Sequence, residues 1–168
     1  MKHIYKKILL AMDNSEIAFH AAERVLNLVE NNSIEETKKE YSKIIVFHST
    51  KHHILPDVMP ITVPSAFGAS YAVPSVDYRK IEEDYKFHGK KILDKTREIF
   101  KKRNIDIETR LITEEKPEDY IERIVEEEDF DLVVLGSKGE HSKLEQIFSG
   151  SIVERAINEV HCDILIVR

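Results

Sequence analysis

Short runs of apolar residues alternate along this chain with longer segments in which apolar residues recur every three or four positions. The short runs are typical of β-strands, and the longer segments are typical of amphipathic helices. Strands are predicted at residues 5–12, 43–50, 105–113, 131–135 and 164–167. Helices are predicted after the capping residues 13–15, at about 76–103, from Pro117 onward, and at 151–160.

This alternation predicts an α/β fold with an open, mostly parallel five-stranded sheet and helices on both faces. The run at 131–135 is nearly all apolar, which is typical of a strand covered on both faces. Ligands of such sheets bind beyond the carboxyl ends of the strands, where the strand order reverses. Asp13, Ser49, Thr50 and the glycines that follow residue 135 are therefore expected near a ligand.

The pattern also predicts which faces of the helices are buried. The apolar stripe of the long helix runs through Leu93 and Phe100, and Gly89 lies on it. A missing side chain at that place either lets the helix approach the sheet closely or is merely tolerated, and both interpretations stay open. In the last helix, Ala156 and Ile157 are among the residues expected to face inward.

Residues 51–75 interrupt the alternation. They contain Pro56, Pro60, Pro64 and Pro74, which are four of the five prolines of the chain, and they show no clear periodicity. We expect a long surface excursion within a single domain that spans residues 1–168.

Composition and charge restrict the class of protein. With 168 residues and a formal net charge of -6, the chain suits one folded domain and lacks the basic excess typical of nucleic-acid binding. The single cysteine, Cys162, cannot form an internal disulfide, which fits a reducing cytoplasm. No apolar run reaches the length of a membrane span or of a signal sequence, so a soluble cytoplasmic protein is expected.

Glycines cluster after the fourth predicted strand. Gly136 and Gly139 follow that strand, and Gly150 and Ser151 introduce the last helix. Glycine permits close approach of the backbone to a ligand, and a helix start offers unpaired N–H groups that suit phosphate. The alternative is that the glycines form a tight turn while a serine caps the helix, and the residues alone leave both open.

Several segments together form a recognisable pattern. They are residues 5–9, Asp13 followed by Ser15, the strand that ends near His48, and residues 131–139, 150–154 and 162–167. Over nearly the whole chain this pattern resembles the universal stress protein family. Nucleotide-binding members of that family carry G-x2-G-x9-G-(S/T). This chain has G-x2-G-x10-G-S, with one extra residue between Gly139 and Gly150.

The resemblance implies a Rossmann-like, three-layer α/β sandwich of the adenine nucleotide alpha hydrolase-like type. It further implies binding of ATP, or of AMP or ADP, with Mg²⁺ or Mn²⁺ held through the phosphates. Family members often pair through the last strand, so the resemblance also implies a homodimer through residues 164–167.

The resemblance assigns a set of nucleotide-binding residues. They are Ala11, Asp13, Ser49, Leu135, Gly136, Lys138, Gly139, Gly150 and Ser151. Asp13 is implied near the adenine and ribose, and Ser49 is implied to contact the base through its backbone. Gly150 and Ser151 are implied to hold the phosphates. The extra residue falls in residues 140–149, between the two glycine anchors.

The pattern contains no recognisable set of catalytic base and nucleophile. The resemblance therefore implies a nucleotide-dependent regulatory or stress-response binding protein. A nucleotide-free dimeric interaction module of the same family and a slow ATPase are the alternatives. Neither the P-loop pattern G-x-x-x-x-G-K-(S/T) nor G-x-G-x-x-G after the first strand occurs.

Three further features have structural interpretations. His48, His52 and His53 lie near the end of the second strand, but no cysteine or carboxylate cluster accompanies them, so core or loop roles are expected rather than a metal site. Cys162 is expected to be a packed thiol. The three glutamates at 126–128 are expected to form a solvated helix end.

Overall fold

The computed structural model describes residues 5–32, 42–51, 63–64, 70–71, 78–137 and 151–168. The helices and strands within these ranges are β1 (Lys7–Ala11), α1 (Glu16–Asn32), β2 (Lys43–Ser49), β3 (Val63–Pro64), β4 (Ser70–Tyr71), α2 (Tyr78–Lys101), β5 (Glu108–Ile112), α3 (Pro117–Glu128), β6 (Leu132–Gly136), α4 (Ser151–Glu159) and β7 (Asp163–Val167). Each predicted strand and helix overlaps an observed one, so the predicted alternation is confirmed.

Five of the strands form one parallel sheet in the order β5-β2-β1-β6-β7. The predicted α/β fold, with an open parallel sheet and helices on both faces, is therefore confirmed. The chain moves from β1 outward to β5, then returns to the other side of β1 to place β6 and β7. The strand order thus reverses between β1 and β6, and a crevice is expected at the carboxyl ends of these two strands.

The sheet is covered on both faces because side chains alternate along each strand. On β1, Ile8 and Leu10 pack with α1 and α2, whereas Leu9 packs with α3 and α4. The same alternation holds on β2, where Ile44 and Ile45 belong to opposite faces. The central strands are consequently buried on both sides, which positions their carboxyl ends rigidly.

Gly89 marks a close approach of α2 to the sheet. A Cβ atom at this glycine would lie 2.6 Å from Leu111 Cδ1 and 2.8 Å from His48 Cδ2. These distances are too short for a real Cβ atom. The structure therefore decides in favour of close packing, which was one of the two interpretations of this residue.

The predicted orientation of Ile157 is wrong. Ala156 is buried against the face covered by α3 and α4, but Ile157 is 56% exposed. Consecutive residues of an α-helix are rotated by about 100°, so once Ala156 faces the sheet its neighbour turns toward the surface.

Within the predicted excursion, the structure contains a short antiparallel pair. Val63 pairs with Tyr71 and Pro64 pairs with Ser70, which makes β3 and β4 a separate two-stranded sheet. Two residues per strand are too few to produce a periodic pattern in the sequence.

The last residue of α3, Glu128, is part of an ion-pair network instead of a solvated helix end. Its carboxylate accepts hydrogen bonds from Arg110 on β5, at 2.6 and 3.2 Å, and from Lys7 Nζ on β1 at 2.9 Å. These bonds hold the pKa of Glu128 down at about 2. The prediction of a solvated end is correct for Glu126 and Glu127, which are exposed, and wrong for Glu128, because tertiary folding brings two cations to it.

In the part of the chain that the structure describes, no helix is both long enough and apolar enough to cross a membrane.

Candidate functional site

The turn between β1 and α1 lies beside the reversal of strand order and carries Asp13. Asp13 Oδ1 accepts a hydrogen bond of 2.8 Å from the backbone N–H of Ser15. Ser15 Oγ in turn accepts a hydrogen bond of 3.1 Å from the backbone N–H of Ala18, which caps the start of α1. The capping role predicted for residues 13–15 is thus confirmed, and the turn has a defined conformation.

The end of β2 is joined to the loop between β5 and α3. Ser49 is buried, and its hydroxyl donates a hydrogen bond of 2.7 Å to the backbone carbonyl of Glu115. The backbone N–H of Lys51 donates to the same hydroxyl at 3.3 Å. The structure therefore adds Glu115 to this edge of the sheet. The sequence carries no signal for this contact, because the acceptor is a main-chain oxygen.

Gly136 ends β6 directly against the first turn of α1. A Cβ atom there would lie 3.1 Å from Ile17 Cγ2 and 3.4 Å from the backbone nitrogen of Ala18. Gly136 does not have a left-handed φ, so the backbone conformation does not require glycine, and a side chain here would press on the tightly packed start of α1. The next residue, Ser137, donates its backbone N–H to the Val167 carbonyl at 2.7 Å.

The other predicted site residues divide into three groups. Ala11 is the last residue of β1, and Leu135 is the next-to-last residue of β6. The Leu135 side chain is buried in the core, so a ligand at this edge would meet its main chain. Ser151 is the first residue of α4, which places it at a helix start as predicted. The last group, Lys138, Gly139 and Gly150, lies outside the described residues.

The described part of the site combines two kinds of chemistry. Asp13 supplies a carboxylate at the end of β1, and the start of α4 supplies backbone N–H groups with the positive end of a helix dipole. Because α4 leads into the parallel strand β7, its amino end points toward the carboxyl edge of the sheet. This arrangement suits a ligand with hydrogen-bond donors at one end and negative charge at the other.

His48 is a core residue, as the sequence predicts. It is 5% exposed, and its Nδ1 lies 2.8 Å from the carbonyl oxygen of Met12. His52 and His53 lie outside the described residues. Within the described ranges, no three His, Cys, Asp or Glu side chains come together as a potential metal-binding group.

Cys162, just before β7, is the packed thiol that the sequence predicts. Its side chain is half-buried against the cluster formed by the sheet, α3 and α4. Burial raises the pKa of the Cys162 thiol to about 11, with smaller contributions from Asp131 and Asp163. The thiol is therefore protonated at neutral pH and a poor nucleophile.

Comparison with protein families relates this geometry to known proteins. The sequence-family model described as "Universal stress protein family" matches residues 4–168 of this chain. Universal stress protein MJ0531 of Methanocaldococcus jannaschii is 28% identical over 167 residues, which cover 99% of this chain and 84% of that protein.

Solved structures show the same fold. Universal stress protein UspA from Lactobacillus plantarum superposes with a TM-score of 0.71 at 18% identity, covering 99% of this chain and 100% of that one. A universal stress protein family protein from Arabidopsis thaliana with AMP bound superposes with a TM-score of 0.60 at 19% identity, covering 96% and 90%.

Proposed function

This chain belongs to the universal stress protein family, and we propose that it binds an adenine nucleotide at the carboxyl edge of its sheet. The observation that carries the proposal is the reversal of strand order between β1 and β6, with Asp13 on one side and Gly136 on the other. The AMP bound to the Arabidopsis protein, which shares this fold, supports the same ligand class.

The proposed orientation follows from the chemistry of the two ends of the site. The Asp13 carboxylate is a hydrogen-bond acceptor and suits the ribose hydroxyls and the base. The start of α4, with Gly150 and Ser151, suits the phosphates because unpaired N–H groups and the helix dipole favour negative charge. We include Ala11, Ser49, Leu135, Lys138 and Gly139 as further contacts, and Mg²⁺ or Mn²⁺ as an ion carried by the phosphates of ATP.

The proposed role of the nucleotide is regulatory. We propose a cytoplasmic binding protein whose nucleotide state alters its shape or its partners in a stress response. A slow ATPase and a nucleotide-free interaction module are the alternative outcomes of the experiments below.

The first experiment identifies the ligand. Protein purified without added nucleotide is denatured, and the released small molecules are identified by chromatography and mass spectrometry. Calorimetric titration of the stripped protein with ATP, ADP, AMP and GTP, with and without Mg²⁺, then measures affinity. We expect adenine nucleotides to bind and GTP to bind at least tenfold more weakly, which corresponds to about 1.4 kcal/mol.

The second experiment tests the location of the site. Gly150→Val, immediately before α4, is expected to abolish nucleotide binding because a branched side chain keeps the phosphates away from the helix N–H groups. Asn158→Val is the matched control, since it adds the same side chain at an exposed position near the other end of α4. If Gly150→Val bound nucleotide normally, the proposal that the phosphates lie at the start of α4 would be wrong.

The outcomes separate the alternatives. If no adenine nucleotide is released and millimolar ATP produces neither heat nor a shift of the melting temperature, the nucleotide-free interaction module is the better description. Release of phosphate from ATP that disappears in Asp13→Ala protein indicates the slow ATPase, whereas turnover that this variant leaves unchanged indicates a contaminating enzyme.

We also propose that the protein forms a homodimer through β7. The sheet has two edges, and β5 carries the charged residues Glu108 and Arg110, which oppose pairing with a second sheet. The middle of β7 is wholly aliphatic, with Ile164, Leu165 and Ile166 each only partly buried. Pairing of two β7 strands would cover these side chains.

A further inference from the structure

His48 is the last of three β2 side chains on one face of the sheet, and the other two are aliphatic. Along β2, Ile44, Val46 and His48 alternate onto the face that packs with α1 and α2, and the two aliphatic residues belong to the core cluster on that face. His48 is 5% exposed. A buried imidazole in such a row requires polar partners, since an unsatisfied polar group there is costly.

One hydrogen bond of His48 reaches the start of the turn that carries Asp13. His48 Nδ1 lies 2.8 Å from the carbonyl oxygen of Met12. A carbonyl oxygen can only accept, so the ring donates this hydrogen bond and Nδ1 carries the proton. The backbone N–H of Met12 donates to the Phe47 carbonyl at 2.9 Å. Both main-chain polar groups of Met12 are therefore tied to β2.

The hydrogen bonds continue from Met12 through the turn. The next residue, Asp13, accepts the Ser15 N–H through Oδ1, and Ser15 Oγ accepts the Ala18 N–H. The carboxylate of Asp13 is thus oriented by a turn that is fixed at its end by α1 and at its beginning by His48.

The imidazole itself is held in place by α2. A Cβ atom at Gly89 would lie 2.8 Å from His48 Cδ2 and 3.4 Å from Nε2, so the backbone of the helix packs directly on the edge of the ring. The backbone of a buried helix is a rigid neighbour. The ring is therefore fixed between α2 and the Met12 carbonyl.

We propose that His48 is a positioning residue for ligand binding, which acts by holding the β1–α1 turn so that the Asp13 carboxylate is oriented before the ligand arrives. The inference rests on the proposed function for the role of Asp13. It goes beyond that function because it assigns ligand affinity to a buried side chain that faces α2.

The test compares three variants. His48→Leu fills the space without a donor, and His48→Asn offers an amide nitrogen near the position of Nδ1. Val46→Ala is the matched control, because it removes core volume from the same row of β2 and leaves the hydrogen bond to Met12 in place. We expect the Kd for ATP to rise about tenfold in His48→Leu, because the hydrogen bond to the Met12 carbonyl is lost, and to stay within about threefold of native in His48→Asn and Val46→Ala.

Two readouts use the nucleotide-free protein. Amide hydrogen exchange at Ser15 and Ala18, divided by exchange at Leu10 in the core of β1, is expected to rise at least tenfold in His48→Leu and to stay unchanged in Val46→Ala. The ¹⁵N spectrum of His48 in the native protein is expected to show the proton on Nδ1.

The outcomes distinguish this inference from the proposed function. A proton on Nε2 alone, an unchanged exchange ratio in His48→Leu, or equal losses of affinity in His48→Leu and Val46→Ala would each overturn the positioning role. If the native protein binds no adenine nucleotide, the proposed function fails, and the exchange ratio and the spectrum still decide whether His48 holds the turn.

Discussion

Gly89 shows how a single missing side chain positions a helix. In an exposed helix, Gly→Ala stabilises by about 0.5–1 kcal/mol, because alanine loses less backbone entropy on folding. Here the added methyl group would meet Leu111 Cδ1 at 2.6 Å and His48 Cδ2 at 2.8 Å. Gly89→Ala is therefore expected to destabilise the folded protein, whereas the same substitution in an exposed helix stabilises it.

We expect Gly89→Ala to lower the free energy of unfolding by about 1–3 kcal/mol, as other overpacked cores do. Urea denaturation measures the change. Lys90→Ala, at the exposed neighbouring position of α2, is the control and is expected to stay within about 0.5 kcal/mol of native. A stabilising Gly89→Ala would mean that α2 lies farther from β2 and β5 than the structure shows.

Gly136 has a packing role that is separate from its proposed contact with the ligand. The resemblance implies that it lines the path of the nucleotide, and the structure packs it against Ile17 in the first turn of α1. Loss of ligand affinity in a Gly136 variant would therefore not by itself demonstrate a ligand contact, which is why Gly150 is the better position for the binding test.

At the scale of the element, the residue that follows α3 has a left-handed backbone conformation although it is not glycine. Asp129 has φ of 53°, in the left-handed region, and its N–H donates to the Val125 carbonyl. Glycine is the usual residue at such a helix end, and a carboxylate there also lies near the negative end of the helix dipole.

We predict a ranked series at Asp129. Asp129→Gly is expected to stabilise by about 0.5–1 kcal/mol through relief of the backbone conformation, and Asp129→Asn by about 0.3 kcal/mol through removal of the charge. Asp129→Ala is expected to destabilise, since alanine tolerates a positive φ poorly. Thermal and urea unfolding measure the order, and an alanine variant as stable as the glycine variant would contradict it.

The end of α3 also gives the protein a pH-dependent contribution to stability. Hydrogen bonds from Arg110 and Lys7 hold the pKa of Glu128 at about 2 in the folded protein, below the ordinary value of 4.5. A carboxyl group whose pKa is lowered by folding stabilises the folded state above its unfolded pKa. That contribution is therefore complete above about pH 5 and is lost as the pH falls toward 2.

We expect Glu128→Gln to lower the free energy of unfolding at pH 7 by about 1–2 kcal/mol, because solvent screens a partly exposed network. The difference between native and variant is expected to shrink as the pH falls from 5 toward 2. Urea denaturation at a series of pH values measures it, and Glu126→Gln, at an exposed position of the same helix, is the control. A difference that stays constant with pH would contradict the assignment.

At the scale of the whole molecule, the two edges of the sheet differ in character, and the proposed dimer uses this difference. Light scattering at micromolar concentration is expected to give a dimer for the native protein and a monomer for Ile166→Lys, since a charge in a paired apolar edge is strongly unfavourable. Thr113→Lys, just beyond the opposite edge strand β5, adds the same charge and is expected to remain dimeric. A monomeric native protein, or loss of the dimer in both variants, would contradict pairing through β7.

Much of the fold could be predicted from the sequence because its elements are specified locally. The alternation of Ile8, Leu9 and Leu10 onto two faces follows from the geometry of a strand, and the capping of α1 by Ser15 follows from residues next to it. The predictions for Ile157 and Glu128 were wrong because the surroundings of these residues depend on which other elements pack beside them.

In the candidate site too, some features could be predicted from the sequence and others could not. The glycines after β6 and the aspartate after β1 were visible in the sequence, since their residue types and their places after strands are local properties. The bond from Ser49 to the Glu115 carbonyl and the bond from His48 to the Met12 carbonyl were not visible. Every residue has a main-chain carbonyl, so the residue type does not reveal which carbonyl accepts a hydrogen bond from a side chain.

The sequence by itself determined the strands of the main sheet, the helices that cover it, most of their buried faces and the residues at the strand ends, because hydrophobic periodicity and capping act over a few neighbouring positions. Only the tertiary structure decided the strand order, in which Leu10 pairs with Val46 on one side and with Val134 on the other. That order places the carboxyl ends of β1 and β6 side by side, and the packing of α2 on the sheet brings Gly89 and His48 together. Such contacts join distant segments of the chain, and they arise when packed layers bury their apolar faces against one another.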